Sequence, residues 1–226
     1  MGFRLTSVDG RATLVVGGQL YDLATASNGT LPDDPMAALA APDDLVALSS
    51  ELAAEEGNTG STGTLDDAMA AGRIGPPVPR PRNCYGIGLN YQSHADEGGM
   101  EVPENPLVFT KFPSCLTGPT DAVELRSDGC DYEGELVVVI GKRAKSISPE
   151  QAQDYVFGVT CGNDVSARDW QKNDLQWWRA KGCDTFAPLG PVIAQGLNYH
   201  DLLLTSRLNG SVEQQQRTSD LIFDVH

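Results

Sequence analysis

The sequence predicts a β-rich α+β protein in two parts. Short runs rich in Val, Ile, Leu, Phe and Thr recur between Gly, Pro and Asp-Gly punctuation, helical periodicity is confined to a few short stretches, and a proline-rich connector divides the chain. With 226 residues, 40% of them apolar, the chain is long enough for one large core or two smaller ones.

Phe3 to Val8, Ala12 to Val16 and Gln19 to Leu23 read as strands of a small meander, joined by turns at Asp9-Gly10 and Gly17-Gly18. Periodicity is weak over 24 to 42. Asp43-Asp44 then opens a helix that runs to Glu56 and stops at Gly57, with a loop over 58 to 63. A second helix over Leu65 to Ala71 takes Thr64 as N-cap, Asp66 and Asp67 in its first turn, and Gly72 as its stop. The prolines between Ile74 and Arg82 exclude a helix interior or central strand and mark an extended connector. The domain boundary falls there. Residues 1–77 form a small N-terminal β/α domain with its linker, and residues 78–226 form the main domain.

Cys84 to Leu89 is a strand interrupted by Gly86 and Gly88, where the backbone comes close to another group. His94 and Glu97 follow, three apart on one helical turn. Such a pair is either a surface ion pair or a dyad in which the carboxylate orients the imidazole. Leu107 to Phe112 alternates as a strand, and Leu116 to Pro119 turns the chain. In Asp131-Tyr132-Glu133-Gly134-Glu135, which leads into the run Val137 to Ile140, the period of two puts Asp131, Glu133 and Glu135 on one face of a buried strand. Buried like charges either share a proton or hold a cation, whereas at a solvated strand end they need neither. Oxygen-only ligands suit Mg2+, Mn2+ or Ca2+.

Ser148-Pro149 with Gln151 starts a helix, and Tyr155 to Thr160 is a strand leading to Asp164, a residue that also suits a helix cap. Trp177 and Trp178 read as packing residues, and Lys181 taken alone reads as surface. Pro188 to Pro191 forces a turn before a strand at Val192 to Ala194. Asn209-Gly210 closes a hairpin between Leu203 to Leu208 and Ser211 to Gln215. Thr218 or Ser219 caps a last helix with Leu221, Ile222 and Val225 on its apolar face, and this helix stops after about two turns, as if cut short.

Sixteen basic residues against 31 acidic ones give a charge of −15, which disfavours nucleic acid or an anionic membrane as partner. With no signal-like or membrane-spanning stretch, the expected compartment is the cytoplasm. Five scattered cysteines match neither a disulfide framework nor a thiolate zinc site.

Taken together, the motifs resemble the fumarylacetoacetate hydrolase family over roughly residues 78 to 226. The resemblance rests on Gly88-Leu89-Asn90-Tyr91 with His94 and Glu97, Phe109 and Lys111, Asp131 to Leu136, Asn163 to Asp169 with Gln171, and Lys181 with Phe186 to Pro191. It implies a mixed β-roll, commonly a homodimer, and one divalent cation, Mg2+ or Mn2+, on Glu133, Glu135 and Asp164. It also implies a mobile lid over about Tyr91 to Asn105, on which His94 and Glu97 activate a water. Lys181 would lie near the substrate oxygens, and Arg168, Gln171 and Lys111 would contact the substrate. The implied reaction is hydrolysis of a C–C bond in a 2,4-dioxo acid, an acylpyruvate or 2,4-dioxo-3-deoxy sugar acid, releasing pyruvate or a related 2-oxo acid. Decarboxylation or isomerisation of oxaloacetate-like or dienoic diacids would use the same site, and a cation-binding protein without turnover is the non-enzymatic alternative. Some members carry a further metal-ligating Asp where this chain has Gly86-Ile87-Gly88. Members also usually continue for several tens of residues beyond this end, so a truncated C-terminus is expected.

Overall fold

A computed structural model describes residues 2–55 and 57–226. Strands β1 (Arg4–Val8), β2 (Arg11–Val16) and β3 (Gln19–Asp22) form the expected meander. Helices α1 (Leu23–Ala26), α2 (Pro35–Ala38), α3 (Pro42–Ala54) and α4 (Leu65–Ala70) follow. Leu45, Leu48 and Ser49, spaced three and four apart, are the buried stripe of α3, and the two leucines join Phe3, Leu5, Leu14 and Phe157 in the main core. The expected last residue of that helix, Glu56, lies outside the described residues. Thr64 caps α4 as its sequence predicts, its hydroxyl accepting the Asp67 N–H at 3.1 Å.

After β4 (Ile74–Gly75) come β5 (Cys84–Gly88), α5 (Gln92–Gly98), β6 (Leu107–Lys111), β7 (Leu116–Thr117), β8 (Cys130–Asp131), β9 (Gly134–Ile140), β10 (Val156–Asn163) and β11 (Ser166–Ala167). The chain continues through α6 (Arg168–Gln171), α7 (Trp178–Lys181), β12 (Ala187–Ala194), β13 (Leu203–Leu208) and β14 (Ser211–Arg217). One sheet runs β3-β2-β1-β12-β10-β9, with β4 on β1 and β7 parallel to β12. It crosses the expected boundary at residue 77, because β1 pairs with β12 and the Thr6 hydroxyl donates to the Pro191 carbonyl at 2.6 Å.

Four local expectations differ from the structure, three of them through tertiary pairing. Asp131 does not share a strand with Glu135: the chain breaks at Tyr132-Glu133, and Asp131 pairs in β8 with Ser166 of β11. The segment after Ser148 is a 3-10 helix (Pro149–Tyr155), although the Ser148 N–H donates to Gln151 Oε1 as a capping box requires. Pro188 to Pro191 lie within β12, where the pairing with β10 is irregular, instead of forming a turn. The last helix is absent among the described residues. Thr218–Asp220 make one 3-10 turn, and Leu221 then bridges Tyr91 in extended form.

Arg11 clamps the meander, its Nε and Nη2 donating to the two Asp22 oxygens at 2.7 and 3.1 Å. Asp22 also caps α1, accepting the Thr25 N–H at 3.0 Å. These donors, Arg11 foremost, hold the Asp22 carboxyl at about 2, against an ordinary 3.8. A depressed carboxyl stabilises the fold fully above 3.8, and that contribution is lost as the pH falls through about 2. Asp22→Asn keeps a cap acceptor and removes the charge, so it should cost about 1 kcal/mol at neutral pH and flatten the acid decline of stability. Urea melts over a pH series check this, and parallel curves for the variant and wild type would refute it.

Candidate functional site

The register of β9 on β10 assembles the site. Gly134 lies opposite Asn163, so Glu133 and Asp164, one residue beyond each, face each other where the two strands end. The Asp164 N–H donates to the Glu133 carbonyl at 2.8 Å, and the Glu133 N–H to Asn163 Oδ1 at 3.0 Å. Glu135 sits one residue inside β9.

Three cations converge on these acids. Lys181 Nζ, at the end of α7, donates to Glu133 Oε2 at 2.7 Å and to Asp164 Oδ2 at 2.8 Å, and its side chain is only 3% exposed. Arg168 of α6 reaches Glu133 Oε1 at 2.7 Å and Asp131 Oδ2 at 2.9 Å, and its Nη1 donates to Gln171 Oε1 at 3.0 Å. Lys111 of β6 is buried behind Asp164, with Nζ 2.6 Å from Asp164 Oδ1. That contact is an ion pair off the line of a hydrogen bond. The ammonium donates to the Phe186 carbonyl at 2.7 Å, and Asp164 Oδ1 is left buried without a hydrogen-bond donor.

The charges set the protonation. Burial opposes ionisation of Asp164, but Lys111 and Lys181 outweigh it and hold the carboxyl below its usual range. Glu135 has no ion-pair partner among the described residues. Burial first, then the neighbouring Glu133 and Asp164, push it up to about 8.

Aromatic rings close the lysine in. Lys181 Nζ lies 4.8 Å from the centre of the Phe109 ring and 6.0 Å from that of Trp177, and the two rings are 5.8 Å apart. They fit because β5 carries glycine. A Cβ on Gly86 would fall 2.1 Å from the Phe109 ring, and one on Gly88 would fall 2.8 Å from Trp177. This is the close approach that the two glycines predict.

Glu133, Glu135, Asp164, Lys181, Lys111, Arg168 and Gln171 are thus brought together, with Lys111 buried beneath the acids and not at their open side. His94 and Glu97 are not joined to them. Both are exposed on α5, and among the described residues neither makes a side-chain hydrogen bond or ion pair with the other or with the cluster. What approaches the cluster is the residue just before α5. Burial, with the charges of Glu135 and Asp220, pushes the Tyr91 phenol up to about 12. The sequence reading named Asp131 and Phe109 only within motifs and gave them no role, and it missed Trp177 and Asp220 as parts of the site. The glycines of β5 were a signal for the aromatic pair, and nothing local marked Asp220.

The donor set suits a hard divalent cation. The candidate ligands are oxygen only, Asp164 Oδ1 is buried and accepts no hydrogen bond although Lys111 Nζ lies 2.6 Å away, and Glu135 makes no ion pair among the described residues. As the side chains stand, the Lys181 ammonium spans Glu133 and Asp164, and no group of three His, Cys, Asp or Glu residues among the described residues is placed to hold a metal ion. A 310 Å3 cleft elsewhere, lined by Ser27, Asn28, Asp44 and Glu51, lies in the N-terminal region and takes no part in the cluster.

Residues 83–226 match the family model described as fumarylacetoacetate (FAA) hydrolase C-terminal. The chain is 44% identical over 168 residues to a fumarylacetoacetate hydrolase domain-containing protein 2 homolog of Dictyostelium discoideum, covering 68% of this chain and 55% of that protein. It is 39% identical over 207 residues to the oxaloacetate tautomerase YisK of Bacillus subtilis, covering 87% and 68%. The chain therefore spans between about half and two thirds of the length of these curated relatives. Among solved structures it is similar to maleylpyruvate hydrolase from Sphingobium sp. SYK-6 in complex with manganese(II) ion and pyruvate, with a TM-score of 0.76 and 28% identity, covering 98% of this chain and 79% of that one.

Lys111→Met should remove one of the two buried ammonium groups from Asp164 and cost about 3–5 kcal/mol in urea denaturation with EDTA present. Arg179→Met, which breaks the exposed pair with Asp174, should cost under about 1 kcal/mol. Equal losses in the two variants would show that the Lys111 pair is not the buried support described.

Proposed function

The chain belongs to the fumarylacetoacetate hydrolase family, and from that premise we infer that it is an enzyme acting on a small 2-oxo diacid of the oxaloacetate type by keto–enol proton transfer. The observation that carries this reading is the buried Lys181 ammonium, held at 2.7 and 2.8 Å by Glu133 and Asp164, beside the half-buried Arg168. A dianionic substrate needs fixed positive charge, and this acidic chain concentrates it here.

Each residue has a task that its geometry supports. The fork of Arg168, steadied by Gln171, suits a substrate carboxylate. Lys181 commits two of its three N–H donors to carboxylates and has one left for an oxygen on which negative charge develops. As an ammonium it donates and cannot take the proton from carbon, so the acceptor is the imidazole of His94, carried in by α5. A divalent cation, Mg2+ or Mn2+, held by Glu133, Glu135 and Asp164 would polarise the 2-oxo group and stabilise the enolate. Proton transfer is preferred to hydrolysis because Glu97 makes no hydrogen bond or ion pair with His94 among the described residues, and the similarity to a named oxaloacetate tautomerase supports the same choice.

Hydrolysis of a 2,4-dioxo acid is the second reading, supported by the similarity to a maleylpyruvate hydrolase that binds pyruvate and manganese. The two readings differ in product. Given the enol of oxaloacetate, the protein should speed loss of the enol absorbance without releasing pyruvate, lose that activity with EDTA and regain it with Mg2+ or Mn2+. Pyruvate from acetylpyruvate would instead establish hydrolysis, and pyruvate with CO2 from oxaloacetate would establish decarboxylation. Turnover of neither acid would sink both first readings and, if Mn2+ still binds, would support a cation-binding protein.

Glu133→Ala and Asp164→Ala should lose Mn2+ affinity and turnover together, as calorimetric titration and the enol assay would read. His94→Ala should keep Mn2+ affinity and lose about two to four orders of magnitude in turnover. Wild-type turnover in that variant would remove His94 from the mechanism.

A further inference from the structure

The helix that carries His94 is too short to stand alone and has no cap of its own. α5 has seven residues, and Tyr91 at its N-cap offers no side-chain acceptor. The missing cap comes from 127 positions away: Asp220 Oδ2 accepts the Ser93 N–H at 3.0 Å and its hydroxyl at 2.8 Å. Gln216 Nε2 donates to the same Ser93 hydroxyl at 2.6 Å. Just ahead of the helix, Asn90 pairs with Phe223 as a strand would. Its Nδ2 donates to the Phe223 carbonyl at 3.0 Å, and its Oδ1 accepts the Phe223 N–H at 2.8 Å.

The same hairpin also rests on the carboxylate strand. Gln214 Oε1 accepts the Gly134 N–H at 2.9 Å, and a Cβ on Gly134 would fall 2.0 Å from the Ser206 hydroxyl. Gln214 and Gln216 are two apart on β14 and so share a face. One holds the backbone between Glu133 and Glu135, and the other holds the first turn of the His94 helix.

We propose that residues 214–223 are a strap setting the distance between the His94 helix and the carboxylate strand, with Asp220 as the positioning residue for His94. The strap anchors the helix at Ser93, so α5 pivots there when it carries His94 towards the carboxylates. The part played by His94 rests on the function proposed above, whereas the strap itself does not depend on it.

Hydrogen exchange and kinetics test the two parts separately. In Asp220→Ala, amides 92–98 should exchange at least about tenfold faster than in wild type while those of β9 and β10 stay protected. On an enolisable 2-oxo acid, kcat should fall about ten- to a hundredfold with KM within about threefold, because the base is misplaced and the binding cations are untouched. Asp220→Asn, which keeps a cap acceptor, should restore kcat to within about threefold of wild type. Mn2+ affinity should be unchanged in both variants. Unchanged exchange over 92–98 in Asp220→Ala would overturn the strap even if the protein turned over no 2-oxo acid. Equal kinetic damage in the Ala and Asn variants, or a raised KM at constant kcat, would overturn the positioning role.

Discussion

Three carboxylates held close together in a buried place set the terms for the rest of this molecule. Two unit charges about 4 Å apart repel by about 4 kcal/mol near a protein surface, and more where water is excluded. Lys181 and Lys111 offset Glu133 and Asp164, and Arg168 adds its charge from the open side. Glu135 is left over, and burial first, then the repulsion of Glu133 and Asp164, push its carboxyl up to about 8. A bound cation would meet the same demand from outside the chain, which is why these residue types fit one.

Holding the cluster in place accounts for features that look incidental one at a time. The chain breaks at Tyr132-Glu133, so Asp131 turns away to pair with Arg168 and does not add a fourth charge beside Glu135. Glycine at 86 and 88 leaves room for Phe109 and Trp177, which shut water away from Lys181 and lengthen the reach of its charge. The N-terminal meander extends the sheet that presents the acids, because β1 lies beside β12, and β12 beside β10.

The sequence made most of this legible where the signal was local. Thr64 with Asp66 and Asp67 announced α4, Asn209-Gly210 announced the β13–β14 hairpin, and the run after Glu135 announced β9. Glu133, Glu135 and Asp164 could be grouped only through the family resemblance, since antiparallel register brings Asp164 to Glu133 across a distance that no periodicity spans. The failures share a cause. Thr218 to Val225 has helical spacing, but the free edge of Asn90-Tyr91 pairs with it and draws it out straight, and the prolines of β12 tolerate a strand because the ladder there is already irregular. In each case long-range pairing outweighed a short-range preference.

The separation between the carboxylates and His94 bears on which reaction such a site performs. The charge cluster would suit any chemistry that passes through an enolate. What distinguishes proton transfer from hydrolysis is whether the base meets a carbon-bound proton directly or a water lying in between. That difference is about the size of one water molecule, and on the proposed function it would follow how far α5 stands from β9. Because residues 214–223 touch both, through Gln216 and Asp220 on one side and Gln214 on the other, a change in this segment would move the base without altering any charged residue of the cluster. Reaction type can then diverge in a segment with no reactive group of its own, while the acids and lysines, constrained by their mutual charges, stay as they are.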